Sequence, residues 1–264
     1  MDLKLENKTA LVTGSTAGIG FAIAKALAAE GARVIVNGRT AARVSAAVDS
    51  IRKSQQNAKC ESLVADLARP DAVTEAAQRF PAVDVLINNL GVYAPKPFEE
   101  ITDSDWLAII ETNFMSGVRL SRLYLPRMRA VNWGRIIFIS SESAVNIPVE
   151  MIHYGVTKTM QVALARGLAE TTAGTGVTVN SVLAGPTRSE GVEAFIASLA
   201  RSKGLTPAAV EKDFFRSARP SSLLQRFATT DEVAALAAFG ASPLSSATNG
   251  AALRVEGGLV RSIL

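Results

Sequence analysis

The sequence holds 264 residues, of which 48% are hydrophobic and 20% charged, a balance typical of a globular protein with a full core. The net charge is +4, but the basic residues are scattered and no basic tract is interleaved with aromatics, so we predict no nucleic-acid partner. No apolar run approaches the roughly 18 residues that span a bilayer, and the first residues lack a signal-peptide pattern. We therefore expect a cytoplasmic protein without membrane attachment.

Short apolar runs alternate with longer helical patterns along the chain. We expect strands at 9–12, 32–36, 62–65, 83–87, 135–140, 177–183 and 251–255, and helices near 19–29, 40–54, 70–79, 103–129, 150–173 and 230–240. Such alternation is typical of βαβ units, in which helices cover both faces of a parallel sheet. The predicted fold class is α/β, a Rossmann-type doubly wound seven-stranded parallel sheet with helices on both faces.

A single cysteine, Cys60, excludes an internal disulfide and a cysteine-clustered metal site. Its place in a predicted buried strand favours packing, and we predict no metal ion.

A glycine-rich turn, Thr13 to Gly20, joins the first predicted strand to the first helix. Such a turn points backbone N–H groups and the positive end of the helix dipole at a ligand, which suits a pyrophosphate. Gly14 permits the tight turn, Gly18 lets phosphates approach, and Gly20 lets the helix pack on the strand. The predicted cofactor-binding residues of this turn are Gly14, Ser15, Thr16, Gly18, Ile19 and Gly20.

The residue after the second strand indicates which dinucleotide binds. An NAD-preferring site places an acid there to accept a hydrogen bond from the ribose 2′-OH. This chain has Arg39, whose forked guanidinium matches a 2′-phosphate. Arg39 therefore argues for NADP(H); the alternative is a solvated arginine at the start of a loop.

The third and fourth strands end in further candidates. Asp66, followed by Leu67, is placed to accept from the adenine amino group or to cap the next helix. At the end of the fourth strand, we interpret Asn88 as structural. The backbone of Asn89, Leu90 and Gly91 is interpreted as part of the wall of the cofactor site.

Tyr154 and Lys158 lie four residues apart in a predicted helix and share one face, so both can act on one ligand. A tyrosine titrates near ~10, and a neighbouring cation favours its phenolate. Ser141, at the end of the preceding strand, offers a hydroxyl to hold a substrate carbonyl. Alone, these residues would be an exposed pair and a turn serine; with the glycine turn they predict a catalytic site.

Over almost its full length the sequence resembles the classical short-chain dehydrogenases/reductases. Residues Thr13 to Gly20 are similar to the TGxxxGxG turn, Asn88 to Gly91 to the NNAG motif with Leu for Ala, and Tyr154 to Lys158 to YxxxK. Ser141 matches the family's catalytic serine in spacing, and Asn113 matches the helix asparagine that holds a proton-relay water.

The resemblance implies reversible hydride transfer between NADP(H) and a carbonyl or alcohol carbon. Tyr154 would donate or accept the proton and Ser141 would orient the substrate oxygen. Lys158 would bind the nicotinamide ribose and lower the phenol's pKa, and Asn113 would connect Lys158 to solvent through water. The resemblance also implies a homo-oligomer, a tetramer or dimer, formed through the helices that contain Asn113 and Tyr154.

The segment after the sixth strand departs from the family pattern. Ala184 stands for the usual Pro before Gly185, and Ser189 stands for the usual Thr. Because a serine hydroxyl can still contact the nicotinamide carboxamide, we expect Gly185, Thr187 and Ser189 to bind cofactor on a loop of altered stiffness.

Between Leu183 and the helix near Thr230 no strand pattern occurs. An amphipathic helix is predicted by the spacing of Val192, Phe195, Ile196 and Leu199, and a second short helix after Pro207. A late insertion beyond a strand's carboxyl end suits a lid. We therefore predict a single dinucleotide-binding catalytic domain over 1–264, with a helical substrate lid near 188–222; the alternative is a surface excursion.

The candidate substrate pocket is mostly apolar, which suits a hydrophobic ketone or alcohol. Its residues are Tyr93, Ser143, Val145, Ile147, Val149, Val192 and Phe195. The lid is basic through Arg188, Arg201, Lys203, Arg216 and Arg219, which suits an anionic acyl-carrier thioester or a solvated helix face equally well. His153 is interpreted as a pocket-edge or packing residue.

These patterns favour an NADPH-dependent carbonyl or 3-oxoacyl reductase acting on a small-molecule substrate. The alternative is a non-enzymatic NADP(H)-binding sensor or scaffold of the same fold, for which a missing Tyr, Lys or Ser would have argued. An extended-branch epimerase or dehydratase would need a TGxxGxxG turn and a longer C-terminal substrate domain, and neither is seen.

Overall fold

The computed structural model describes residues 1–263. The strands are β1 (Thr9–Val12), β2 (Arg33–Gly38), β3 (Cys60–Val64), β4 (Val85–Asn88), β5 (Gly134–Ser141), β6 (Val177–Ala184), β7 (Thr187–Arg188), β8 (Ala228–Thr229) and β9 (Ala252–Val255). The α-helices are α1 (Gly18–Ala29), α2 (Ala41–Ser54), α3 (Pro70–Arg79), α4 (Asp103–Ile110), α5 (Ser116–Ala130), α6 (Ile152–Glu170), α7 (Glu190–Lys203), α8 (Pro207–Ser217) and α9 (Thr230–Ala241).

Within residues 1–263, seven strands form one sheet in the order β3-β2-β1-β4-β5-β6-β9 with every neighbouring pair parallel, which confirms the predicted doubly wound architecture. The order reverses between β1 and β4, which lie side by side. In such a sheet the ligand crevice opens beyond the carboxyl ends of the strands at this reversal. The glycine turn follows β1 and residues 89–91 follow β4, so both stand at the crevice.

Two apolar cores cover the two faces of the sheet. Along β1, Ala10 and Val12 face the core formed with α1, α2 and α9, while Leu11 faces the core formed with α3, α5 and α6. This alternation follows the period of two in a strand. Cys60 is buried in the first core, as its packing interpretation expects. No helix in the described residues is long and apolar enough to cross a membrane.

The single helix predicted over 103–129 is divided in the structure. Helix α4 begins with a capping box at Thr102 and Asp105, and a π-helical turn, Glu111–Met115, separates it from α5. A π turn holds one more residue per turn than an α-helix and is frequent at functional sites. Here it turns Asn113 inward, where only 1% of the residue is exposed.

Residues 188–222, which we call the α7–α8 segment, contain both helices predicted between the sixth strand and the last helix. Most of an apolar cluster lies in the segment, where Phe214 and Phe215 pack against Phe227 just beyond it, with ring centroids 5.1 Å apart. The short β7–β8 pair joins the chain where the segment begins to the chain shortly after it ends, with Thr187 opposite Ala228. The helices therefore extend from the sheet's carboxyl edge as one packed unit.

Candidate active site

The glycine turn is held against the end of β4 by side chains that bond the main chain. The Thr13 hydroxyl accepts from the backbone N–H groups of Asn89 and Leu90, both at 2.9 Å. In return, the Asn89 amide donates to the carbonyls of Thr13 and Gly14 at 2.9 and 3.1 Å. A Cβ at Gly20 would lie 2.5 Å from the Gly14 carbonyl oxygen, so only glycine fits there.

Gly14 and Gly18 both adopt a φ of +58°, a conformation that glycine reaches without strain. Their missing side chains leave open the main-chain surface in front of α1. The residues therefore fit a pyrophosphate at the helix N-terminus. Thr16 and Ile19 are half-buried on the same turn.

Ser15 braces the turn from inside. Its side chain is fully buried, its hydroxyl donates to the Val12 carbonyl at 2.7 Å, and it accepts from the Asn37 N–H at 2.9 Å. Asn37 also accepts from the Gly14 N–H at 3.0 Å and donates to the Leu63 and Ala65 carbonyls at 3.1 Å. Sequence reasoning missed Asn37; the signal was an amide inside an otherwise apolar strand.

The end of β2 leaves no room for the acid that an NAD-preferring site uses. The Asn37 side chain is fully engaged, and a Cβ at Gly38 would collide with the Thr16 side chain. Arg39 is exposed and forms no hydrogen bond or ion pair within residues 1–263. One helical turn further, Arg43 is 60% exposed and lies 3.4 Å from Glu190 at the start of α7.

Asp66 and Leu67 lie at the turn after β3. The Asp66 carboxylate accepts from the Ala68 N–H at 3.2 Å. The N-cap position of α3 is Arg69, whose side chain makes no cap hydrogen bond, so Asp66 shapes the turn and does not cap the helix. Leu67 is 1% exposed and packs in the second core, so its side chain is structural.

Tyr154, Lys158 and Ser141 come together at the carboxyl edge of the sheet. Helix α6 places the Lys158 ammonium 5.6 Å from the centroid of the Tyr154 ring. The ammonium donates to the Ile139 carbonyl at 2.9 Å, and a Cβ at Gly91 would lie 3.6 Å from it. The end of β4, the end of β5 and the face of α6 thus border one site.

The electrostatics of this site are dominated by burial. Burial raises the pKa of the Tyr154 phenol, and Glu142 and Tyr93 raise it further. The neighbouring Ser141 hydroxyl lowers that pKa, but by less than burial raises it. Burial lowers the pKa of Lys158 to about 8. Burial therefore keeps Tyr154 a neutral phenol at neutral pH, and the lowering of its pKa by Lys158 stays a prediction.

Asn113 is held rigidly by its neighbours. Its side-chain amide donates to the Val92 carbonyl at 2.9 Å and to the Thr157 hydroxyl at 3.1 Å, while its oxygen accepts from the Val92 N–H at 2.7 Å. Its main-chain carbonyl accepts from the Gln161 amide at 2.6 Å. The Gln161 oxygen in turn accepts from Lys158 at 3.2 Å.

Gln161 therefore joins Asn113 to Lys158 directly, a link that sequence reasoning missed. Its signal was the spacing along α6, where Gln161 follows Lys158 by three residues and shares its face.

The segment after β6 approaches the glycine turn. The Ser189 hydroxyl caps α7 by accepting from the Val192 N–H at 3.4 Å, and its Cβ lies 3.5 Å from where a Gly18 Cβ would be. Thr187 is buried, with its hydroxyl on the Gly185 carbonyl at 2.8 Å. The start of the α7–α8 segment therefore lies against Gly18 of the glycine turn.

The candidate pocket residues differ in their burial, and one of them contacts Tyr154. The Tyr93 ring meets the Tyr154 ring edge-on, with centroids 6.1 Å apart. Ser143 is buried and Val192 half-buried, whereas the remaining apolar candidates, Val145, Ile147, Val149 and Phe195, are exposed.

Of the five basic residues that were predicted to make the lid basic, three are ion-paired within the protein. Arg188 pairs with Glu211, Arg216 with Asp213, and Arg219 with Glu142 and Glu150. Paired guanidinium groups are poorly placed to attract an anionic substrate.

His153 is buried and packs edge-on against Trp106, with ring centroids 6.0 Å apart. Burial lowers its pKa, and these contacts agree with the packing interpretation. In the described part of the chain, no group of three or more His, Cys, Asp or Glu side chains could hold a metal ion.

Comparison with known proteins decides the family. A family model described as short chain dehydrogenase matches residues 8–198. The chain belongs to the short-chain dehydrogenase/reductase family. It is an oxidoreductase of this family that acts on alcohol or carbonyl groups, and the predicted resemblance is confirmed.

Relatives and solved structures match this short-chain dehydrogenase/reductase over its whole length. It is 48% identical over 263 residues to the uncharacterized oxidoreductase YvaG of Bacillus subtilis, covering 100% of both chains. It is 35% identical to D-beta-hydroxybutyrate dehydrogenase of Cupriavidus necator, over 97% of this chain and 99% of that one. The structure of L-sorbose reductase from Gluconobacter frateurii, complexed with NADPH and L-sorbose, covers 100% of both chains at 27% identity with a TM-score of 0.93.

Proposed function

We propose that this enzyme transfers a hydride between NADP(H) and a carbonyl or secondary alcohol, as a carbonyl or 3-oxoacyl reductase. The observation that carries the proposal is the convergence of Ser141, Tyr154 and Lys158 beside the glycine turn. The end of β5 and the face of α6 meet there, beside the residues that follow β1 and β4, at the crevice where doubly wound folds bind dinucleotides. NADPH, when bound, supplies the hydride, and the protein contributes position and electrostatics.

Each residue has a separate role in reduction. The neutral Tyr154 phenol donates the proton to the substrate oxygen, and Ser141 orients that oxygen. Lys158 binds the nicotinamide ribose, and Asn113 and Gln161 hold Lys158 in place. The backbone of Asn89, Leu90 and Gly91, with Gly185, Thr187 and Ser189, forms the wall of the cofactor site.

The preference for NADP(H) rests on the end of β2. Because Asn37 is engaged and Gly38 is covered by Thr16, neither position can present an acid to a ribose 2′-OH. Arg39 is the first side chain after the strand that is free to meet a 2′-phosphate, and Arg43 stands one turn behind it. A forked guanidinium bonds that phosphate in two places.

The proposed substrate is an uncharged ketone or secondary alcohol. The candidate pocket side chains are mainly apolar, and the Arg219 guanidinium, which pairs with Glu142 next to Ser141, is neutralised by Glu142 and Glu150. Both features argue against an anionic acyl group in contact with the catalytic residues.

A panel of ketones and alcohols, followed by NADPH absorbance, tests the proposal. Turnover of at least one uncharged ketone is expected, with NADPH preferred to NADH. A chain that served only as an NADP(H)-binding sensor or scaffold would bind NADPH and reduce none of them.

We further propose a single catalytic domain whose α7–α8 segment is the substrate lid, assembled as a homo-oligomer in the cytoplasm. Leu107 on α4 is 69% exposed, which suits burial against a second copy. Light scattering on a sizing column tests the assembly, and a monomer at micromolar concentration would contradict it.

A further inference from the structure

A buried carboxylate lies directly beside the candidate catalytic serine. Glu142 is 4% exposed, and its Oε2 accepts from the Ser141 hydroxyl, from the Ser143 N–H at 2.8 Å and from the Ser143 hydroxyl at 3.1 Å. Its Oε1 accepts from the Arg219 Nε at 3.2 Å. A backbone N–H and a guanidinium can only donate, so both oxygens of Glu142 are acceptors, as in an ionised carboxylate.

The charges around Glu142 do not cancel. Arg219 is 9% exposed, and besides Glu142 it bonds Glu150 at 3.1 Å. One guanidinium therefore serves two carboxylates, and this Glu142–Arg219–Glu150 triad carries one net negative charge. The main-chain N–H of Lys96 bonds the Glu150 carbonyl at 3.0 Å, but the Lys96 ammonium is paired with Asp105 at 2.6 Å. That cation is thus already engaged by another carboxylate.

The compensating cation and the serine lie on different oxygens of Glu142. The Arg219 Nε bonds Oε1, whereas the Ser141 hydroxyl bonds Oε2. The hydrogen bonds that Oε2 accepts come from neutral donors of Ser141 and Ser143. A charged group in contact with Ser141 therefore lies next to the carboxylate oxygen that no cation bonds.

Contact with Ser141 places a substrate within range of this charge. An oxygen that is hydrogen-bonded to the Ser141 hydroxyl is two hydrogen bonds away from Oε2 of Glu142, which is about 6 Å at most. In a 3-oxo acid, the carboxylate lies two bonds from the carbonyl carbon, so its charge would lie within roughly 9 Å of Glu142. The effective dielectric constant of a partly buried site is about 20, roughly a quarter of that of water, so the two negative charges repel strongly.

We propose that Glu142 is a specificity-determining residue, which makes the enzyme reject ketones that carry a carboxylate next to the reacting carbonyl. An amide, ester or thioester in place of that carboxylate has no charge and is accepted. The proposal rests on the proposed reductase function, because it takes Ser141 as the group that contacts the substrate oxygen. Arg219 holds Glu142 in its ionised state, and Glu150 makes the net charge of the triad negative.

The substitution Glu142→Gln tests the proposal with two substrates of nearly the same shape, acetoacetamide and acetoacetate. Their kcat/KM values are measured with NADPH, and wild type is expected to prefer the amide. Glutamine keeps the shape of Glu142 but not its charge, so the ratio of the amide value to the acid value is expected to fall about 10–50-fold. A general structural defect would lower both values together and leave their ratio unchanged.

The same substitution at two other glutamates grades the effect. The Glu150 side chain is 45% exposed and screened by water, so Glu150→Gln is expected to lower the ratio only about 2–3-fold. Glu170→Gln is the matched control, since Glu170 is also paired with an arginine, Arg166, but lies exposed at the C-terminal end of α6. Its ratio is expected to equal that of wild type. NADPH fluorescence verifies that each variant is folded.

A second measurement does not need turnover. Isothermal titration calorimetry gives the dissociation constants of acetoacetamide and acetoacetate from the enzyme saturated with NADP⁺. The preference for the amide is expected in wild type and should be lost in Glu142→Gln. If neither compound is reduced but this change in binding occurs, the inference about Glu142 stands and the proposed reductase function fails.

Two results would overturn the inference. One is a ratio in Glu142→Gln equal to that of wild type, which would leave the reductase function intact if the amide is reduced. The other is that neither compound binds to wild type or to any variant, because the charge of Glu142 would then act on no ketone at Ser141.

Discussion

The two halves of the crevice are built in different ways. The cofactor half is braced by neutral side chains, Thr13, Asn37 and Asn89, which are bonded to the main chain of the glycine turn. The substrate half holds buried charges, namely Lys158, Glu142 and Arg219. Neutral hydrogen bonds hold a backbone shape at any ordinary pH, whereas buried charges respond to protons. The comparison indicates that the cofactor half binds its ligand through a fixed backbone shape, whereas the substrate half controls the protonation of its side chains.

The largest effect is expected on the substrate half, from Tyr154→Phe. Loss of the phenol proton should lower kcat by about 10²–10⁴-fold with NADPH affinity nearly intact. Steady-state kinetics and NADPH fluorescence measure the two quantities. Tyr124→Phe is the control, because the Tyr124 hydroxyl bonds the Phe80 carbonyl inside the core and only stability should change. Turnover retained in Tyr154→Phe would contradict the assignment.

On the cofactor half, Asn37→Ala removes the brace of the glycine turn. The Gly14 N–H and the Leu63 and Ala65 carbonyls lose their partner, which should cost about 2–3 kcal/mol of unfolding free energy. Urea denaturation measures this loss, and NADPH affinity should fall with it at every pH. The exposed Asn57→Ala is the control. Stability equal to wild type would mean that the turn does not depend on Asn37.

Arg39→Ala separates the two cofactors. Loss of a charge-assisted contact with the 2′-phosphate should raise the KM for NADPH about 10–30-fold and leave the KM for NADH unchanged. Arg33→Ala, at the other end of the same strand, should change neither value. An equal rise of KM for both cofactors would show that Arg39 does not bind the 2′-phosphate.

The smallest effect is expected from Gln161→Leu, which tests whether the charge of Lys158 on the substrate half responds to pH. Gln161 accepts from the Lys158 ammonium, so its loss disfavours the charged form and moves the Lys158 pKa below about 8. The high-pH limb of the activity profile, where Lys158 loses its proton, should then move to lower pH. At neutral pH, kcat should fall only about 2–5-fold. Gln161→Glu should move the same limb upward. A shift in the same direction for both variants would exclude this electrostatic account.

Much of the architecture could be predicted from local hydrophobic patterns in the sequence. The alternation of apolar runs predicted the seven strands of the main sheet, because a buried parallel strand needs a continuous apolar segment. The division of the 103–129 helix was not predicted, since a π turn leaves the helical periodicity nearly intact. The bounds of β2 and β3 also differ from the prediction by one or two residues, since strand ends depend on neighbouring strands.

The sequence by itself determined which residues meet through local geometry. Tyr154 and Lys158 share a face because four residues make about one helical turn, and the glycine turn follows from backbone conformations that other residues avoid. Only the tertiary structure decided the contacts that support them. Glu142 and Arg219 are 77 residues apart and Asn113 and Gln161 are 48 apart. Such pairs meet only after the sheet has formed, because no local period relates them.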